Sequence, residues 1–140
     1  MTSDRVPPQP ILLVEDDPGL TRLFALVVAR ARIPNPVVTV GCGDDALAFL
    51  GAAGAHPPAV VLLDMGLPDI DGVSLLALIR DMFDQAALPI VVLSGSVETS
   101  TVERAIAAGA DRFLSKPVGI DELIATLATF GVGAAYEAAS

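Results

Sequence analysis

Three short runs, Ile11-Leu12-Leu13-Val14, Val60-Val61-Leu62-Leu63 and Ile90-Val91-Val92-Leu93, are apolar at every position. Successive side chains of a strand point to opposite faces, so a strand with one wet face alternates apolar and polar residues. Runs without alternation bury both faces, as strands do inside a parallel sheet covered by helices on each side. Each run is too short for a helix. Two weaker runs, Val37-Val38-Thr39-Val40 and Phe113-Leu114 after Asp111-Arg112, carry Thr39, Arg112 and Ser115 and read as less buried edge strands.

Helical patterns fill the gaps. Leu20, Leu23, Phe24, Val27 and Val28 repeat at the spacing of one helix face, after Asp17-Pro18 as cap and first-turn residue. Val102, Ala105, Ile106 and Gly109 repeat likewise, as do Ile120, Leu123, Ile124 and Leu127, with shorter patterns over Ala46 to Leu50 and Leu75 to Phe83. Strand then helix, five times over, predicts right-handed crossovers and an open, doubly wound α/β sheet. A length of 140 residues with 53% hydrophobic residues suits one domain with one core. That domain is expected over residues 10–131, between loose ends at 1–9 and 132–140.

Charge narrows the partners. Seventeen acidic residues against eight basic ones give a net charge of −9. An acidic surface repels phosphate backbones and anionic lipid, which argues against direct nucleic-acid or membrane binding. No stretch approaches the roughly 18 apolar residues of a membrane span. The single cysteine, Cys42, excludes an intramolecular disulfide and fits a reducing compartment, so a cytoplasmic location is expected. Cys42 reads as a turn residue and His56 as a solvated loop residue.

In doubly wound sheets, ligands bind beyond the carboxyl ends of the strands. The first strand is followed by Glu15, Asp16 and Asp17; the third ends in Asp64, the fourth in Ser94, and the fifth in Lys116-Pro117. These loops bring carboxylates, a hydroxyl and an ammonium to one edge. Several carboxylates in one crevice repel each other unless a cation neutralises them, and hard oxygen ligands suit Mg²⁺. Asp17 before Pro18 reads most simply as a helix cap, which shifts a metal role towards Asp16, but three consecutive acids leave the register between them open. Asp69 and Asp71 read as members of the exposed loop after Asp64.

The segment Ile11 to Pro18 resembles the first strand and acidic pair of bacterial response-regulator receiver domains, the chemotaxis regulators among them. Leu63-Asp64-Met65-Gly66-Leu67-Pro68-Asp69-Ile70-Asp71-Gly72 resembles their phospho-acceptor loop. Pro89 to Gly95 is similar to their fourth strand with its switch hydroxyl, and Ala108 to Asp111 followed by Phe113 to Pro117 to their fifth-strand signature. Together the similarity runs from Ile11 to Phe130. It implies a flavodoxin-like (βα)5 sheet in strand order 2-1-3-4-5. It further implies that Asp64 accepts a phosphoryl group from a sensor histidine kinase or a phosphotransfer protein. Mg²⁺ would be held by Asp16, Asp64 and the carbonyl of Gly66, with Glu15 acting through a water. Lys116 would pair with a phosphoryl oxygen, Ser94 and Phe113 would form the switch, and a cis peptide would precede Pro117. Such a protein is a two-component signalling switch rather than an enzyme. Its output surface is made by the fourth helix, fifth strand and fifth helix, through which it meets a downstream protein or a second copy of itself. With only a short tail after Phe130, a single-domain regulator without a DNA-binding module is expected.

Two other classes compete. A flavin carrier or enzyme on the same architecture would cradle phosphate with glycine, serine or threonine amides after the first strand, where this chain has three acids, and neither GxxxxGK[ST] nor GxGxxG occurs. An adaptor that kept the receiver fold and lost phosphorylation would not need Glu15, Asp16, Asp64, Ser94 and Lys116 together. Phe113 as a plain core residue stays open beside its switch role.

Overall fold

In the computed structural model, which describes residues 8–54, 56–95 and 98–132, the fully apolar runs form the middle of a five-stranded parallel sheet. The strands are β1 (Ile11–Val14), β2 (Val37–Val40), β3 (Val60–Asp64), β4 (Ile90–Ser94) and β5 (Arg112–Ser115). The helices are α1 (Pro18–Arg30), α2 (Gly43–Ala53), α3 (Gly72–Met82), α4 (Thr99–Ala107) and α5 (Ile120–Thr129). The sheet order is β2-β1-β3-β4-β5, as the resemblance implies. β1, β3 and β4 are buried throughout, whereas Thr39 in β2 and Arg112 and Ser115 in β5 are exposed on the two edges. The expected loose ends fall almost wholly outside the described residues; of them only 8, 9 and 132 are described, and Val132 is buried.

The pleat sorts each strand between two cores. Ile11, Leu13, Val60, Leu62, Val91 and Leu93 pack with Phe24 and Val27 of α1 and Leu123 and Leu127 of α5. Leu12, Val14, Val61, Leu63, Ile90 and Val92 pack on the other side with Leu50 of α2, Leu75, Leu76 and Ile79 of α3, and Ala105 of α4. Burying a side chain of this size contributes about 1.5–3 kcal/mol, so a one-residue slip of register, which exchanges the two faces, is strongly opposed. Neighbouring strands therefore end within one residue of each other in register, and the loops that follow them open on one edge.

Arg80, at the end of α3, fixes the opposite edge. Its guanidinium donates to the carbonyls of Gly109 (3.0 and 2.7 Å), Leu88 (2.7 Å) and Asp84 (3.1 Å), and to the carboxylate of Asp111 at 2.9 Å. The same Asp111 oxygen accepts the N–H of Ile90 at 2.8 Å, so one charge pair staples the amino ends of β4 and β5 together. Gly109 lies at φ 112°, a left-handed conformation that favours glycine, and a Cβ there would come within 2.9 Å of the Arg80 side chain.

The Arg80 side chain is only 11% exposed. Arg80→Ala strands a carboxylate and several carbonyls, and should lower the unfolding free energy by about 3–5 kcal/mol in urea titration. Arg80→Lys should recover only part of this, because an ammonium lacks the planar fork.

Candidate phosphoryl and metal site

The strand ends bring the expected residues into one cleft of about 530 Å³, lined by Glu15, Asp16, Asp17, Asp64, Met65, Gly66, Asp71, Ser94, Thr101, Arg104 and Lys116 among others. Glu15 follows β1 directly and is 2% exposed; Asp64 is the last residue of β3 and is 5% exposed. Ser94 closes β4, also buried, opposite Ser115 in the register of β5. Lys116 follows β5, and its peptide bond to Pro117 is cis.

Lys116 Nζ lies 2.9 Å from Asp64 Oδ1 and 3.0 Å from Glu15 Oε1. Gly66 donates its N–H to the same Asp64 oxygen at 3.1 Å, which fixes the rotamer of this carboxylate. Glu15 Oε1 is buried and meets Lys116 as an ion pair, with no hydrogen-bond partner. Glu15 Oε2 accepts the N–H of Asp17 at 3.2 Å.

Among the described residues, Glu15, Asp16 and Asp64 each present a carboxylate oxygen within 4.8 Å of the others. Asp17 takes a different part. Its side chain accepts the N–H of Gly19 at 3.0 Å and caps α1, with Pro18 in the first turn. The open choice between Asp16 and Asp17 thus narrows, because only Asp16 faces the other two acids. An all-oxygen donor set in which one buried oxygen has an ion pair but no hydrogen bond suits a hard divalent cation.

The electrostatics are lopsided. Burial first, and then the adjacent Asp64 carboxylate, push the Glu15 carboxyl up to about 6, against the opposing pull of Lys116 and the Asp17 N–H. Burial also works against ionisation of Asp64, but the neighbouring Glu15 carboxyl and the hydrogen bonds from Lys116 and Gly66 outweigh it and hold Asp64 below the usual aspartate range. Burial would lower Lys116; the two carboxylates beside it outweigh that and raise it, so it stays charged.

Phe113 is half-buried in β5 and packs against the core shared by α2, α3 and α4. Two residues placed in an exposed loop by the sequence have larger parts. Asp71 caps α3 by accepting the N–H of Ser74 at 3.2 Å, and Arg104 of α4 approaches it at 4.0 Å. Asp69 accepts the N–H groups of Gly43 and Asp44 at the start of α2. The only local hint of the first was a small residue, Gly72, and a serine following an aspartate at cap spacing; nothing local announced the second. Cys42 occupies the cap position of α2, and His56 is exposed as expected.

A (βα)5 sheet in this order, with clustered acids and a lysine at its carboxyl edge, defines the flavodoxin-like class of signalling receivers. The response regulator receiver domain family matches residues 11–128, and the chain belongs to that family. It is 38% identical over 117 residues to the transcriptional regulatory protein KdpE of Mycobacterium tuberculosis, covering 84% of this chain and 48% of that protein. The chain thus spans about half the length of that relative. It is 32% identical over 127 residues to the response regulator Rcp1 of Synechocystis, covering 88% of this chain and 86% of Rcp1. The Mn²⁺-bound form of response regulator Rcp1 superposes with a TM-score of 0.74 at 30% identity, over 89% of this chain and 95% of that one. The phosphorylated cyanobacterial phytochrome response regulator RcpA gives 0.71 at 31% identity, over 86% and 89%. No helix among the described residues is long and apolar enough to cross a membrane.

Glu15 gives the site a pH signature. Its folded value lies above its unfolded one, so its contribution to stability is present below about 4.5 and is lost as pH rises through about 6. A carboxyl-carbon NMR titration of the metal-free protein should place the Glu15 midpoint near 6. Lys116→Met should move it higher.

Proposed function

We propose that this receiver domain accepts a phosphoryl group on Asp64 from a histidine kinase or a histidine phosphotransfer protein, and signals through a protein partner. The observation that carries the reading is the meeting of Glu15, Asp16 and Asp64 within 4.8 Å, with Lys116 Nζ 2.9 Å from the Asp64 carboxylate.

An oxygen of Asp64 attacks the phosphorus of the phosphohistidine as a covalent nucleophile. The new O–P bond forms as the P–N bond breaks, and the imidazole leaves with the electron pair. Gly66 N–H and Lys116 hold the carboxylate against rotation while this occurs, which is an entropic contribution to the rate. Asp16, Asp64 and the carbonyl of Gly66, with Glu15 behind them, would hold Mg²⁺, which would supply positive charge beside the reacting oxygens. Lys116, already charged, pairs afterwards with a phosphoryl oxygen.

Ser94 ends the strand beside Asp64 and would supply the hydroxyl that binds another oxygen of the acyl phosphate. Its movement, with that of half-buried Phe113, would alter the surface of α4, β5 and α5. That surface is read by a downstream protein or a second copy of the chain, in the cytoplasm. The net charge of −9 supports a protein target over nucleic acid. The transcriptional role in the name of KdpE belongs to that protein, of which this chain matches only 48%.

Incubation with a small phosphodonor and Mg²⁺ should add one hydroxylamine-labile phosphate, read by intact mass. Asp64→Ala should abolish the adduct, and chelation or Asp16→Ala should prevent its formation. Labelling that survives Asp64→Ala removes the proposed acceptor.

A further inference from the structure

The loop between β3 and α3 carries Gly66, whose carbonyl the reading above gives to the metal. Its near end is tied to the sheet, where Met65 donates its N–H to the carbonyl of Leu93 at 3.0 Å. Its far end is Asp71, the cap of α3. Between these anchors Gly66 and Pro68 are exposed.

Gly66 itself donates its N–H to Asp64 Oδ1, Leu67 packs on the core, and Asp69 adds an anchor on α2. Asp69 is exposed, yet both its oxygens are engaged: Oδ1 accepts the N–H of Gly43 at 2.8 Å and Oδ2 the N–H of Asp44 at 3.0 Å. These are orphan donors in the first turn of α2, where Cys42 at the cap position makes no side-chain hydrogen bond to them. A carboxylate bonded to successive amides at a helix start is charge-assisted at both contacts. The bonds to Gly43 and Asp44 hold Asp69 below the usual aspartate range. Its neighbour Ile70 packs so closely over Gly43 that a Cβ there would overlap the Ile70 side chain. Polar and apolar contacts thus dock one point of the loop on α2, three residues beyond Gly66.

The geometry points to Asp69 as a positioning residue for the divalent cation: by clasping the loop to the start of α2, it holds the Gly66 carbonyl in register with Asp64. This rests on the metal reading given above. Asp69 does not touch the cation. It acts through the loop, as outer partners act on ligands, where their loss typically weakens binding about 10- to 100-fold.

A role confined to capping α2 is the rival, and a second substitution separates the two. Mg²⁺ affinity and melting temperature are measured for the wild type, Asp69→Ala, Asp69→Asn, and Asp69→Ala combined with Cys42→Ser. Serine at the cap position offers α2 a local acceptor without restoring the clasp. Asp69→Ala should weaken Mg²⁺ binding roughly tenfold, and Asp69→Asn, which keeps one acceptor oxygen, by less. Cys42→Ser in the Asp69→Ala background should regain melting temperature but not Mg²⁺ affinity, and the Gly66 amide resonance should stay displaced. Unchanged Mg²⁺ affinity in Asp69→Ala, or affinity recovered by Cys42→Ser, overturns the inference alone. A wild-type chain that binds no Mg²⁺ overturns the metal reading as well, and so fails in a distinguishable way.

Discussion

Two buried carboxylates and one partly exposed ammonium at the end of the sheet are the interaction on which the site depends. Like charges about 4 Å apart interact by about 4 kcal/mol at the effective dielectric of a protein surface. Glu15 and Asp64 can be neighbours at that depth because Lys116 stands 3.0 and 2.9 Å from them. The compensation is unequal. Asp64 has Gly66 N–H and a directed bond from Lys116, whereas Glu15 Oε1 has only its ion pair with Lys116, and Glu15 has a raised proton affinity. Below about pH 6 a proton on Glu15 therefore neutralises part of the metal-free site, and it competes there with a divalent cation. Fit to a cation here follows from what the buried oxygens lack as much as from how many acids are present.

That balance needs the strand ends to keep their register. The sheet supplies this through its two cores, since both faces of β1, β3 and β4 are buried and no slip leaves either core intact. The far edge contributes as well. Arg80 and Asp111 tie the start of β4 to the start of β5, and the other ends of those strands carry Ser94 and Lys116. A charge network outside the cleft thus sets where the hydroxyl and the ammonium arrive. Rigidity at one end of the strands is the condition for precision at the other.

The fold was legible because its signals are local and periodic. Unbroken apolar runs marked the three inner strands, Thr39 and Arg112 marked the edges, and the five helices follow from apolar spacing between them. The acids and the lysine were legible for a related reason: a doubly wound sheet assigns ligands to the strand ends, so position in the pattern stands in for position in space. Where a residue's partner is distant in sequence, that logic has nothing to work with. Arg80 meets Gly109 and Asp111, 29 and 31 residues away, and Asp69 meets Gly43 and Asp44 at 26 and 25. No spacing rule announces such pairs. Both Asp69 and Asp71 are exposed, as expected of that loop, but exposure alone did not tell that their oxygens were occupied. The register of Glu15-Asp16-Asp17 was limited differently, since three identical charges carry no label. The cap at Asp17, legible from Pro18, leaves Asp16 facing the cluster.

The charge of the cleft has a consequence for the chemistry proposed. Five carboxylates, those of Glu15, Asp16, Asp17, Asp64 and Asp71, line it against two cations, Lys116 and Arg104. Arg104 is largely exposed and leans towards Asp71, so Lys116 is the cation in contact with the acceptor. A phosphoryl donor is itself anionic, and a single ammonium already shared between two carboxylates cannot offset its arrival. The barrier is electrostatic, and only added positive charge next to Asp64 removes it. On this account, metal dependence is built into the count of charges at the strand ends. The geometry of the loop that carries Gly66 then decides how well that charge is placed. Two terms that look separate, the polarity of the cleft and the docking of a loop on α2, act on the same step.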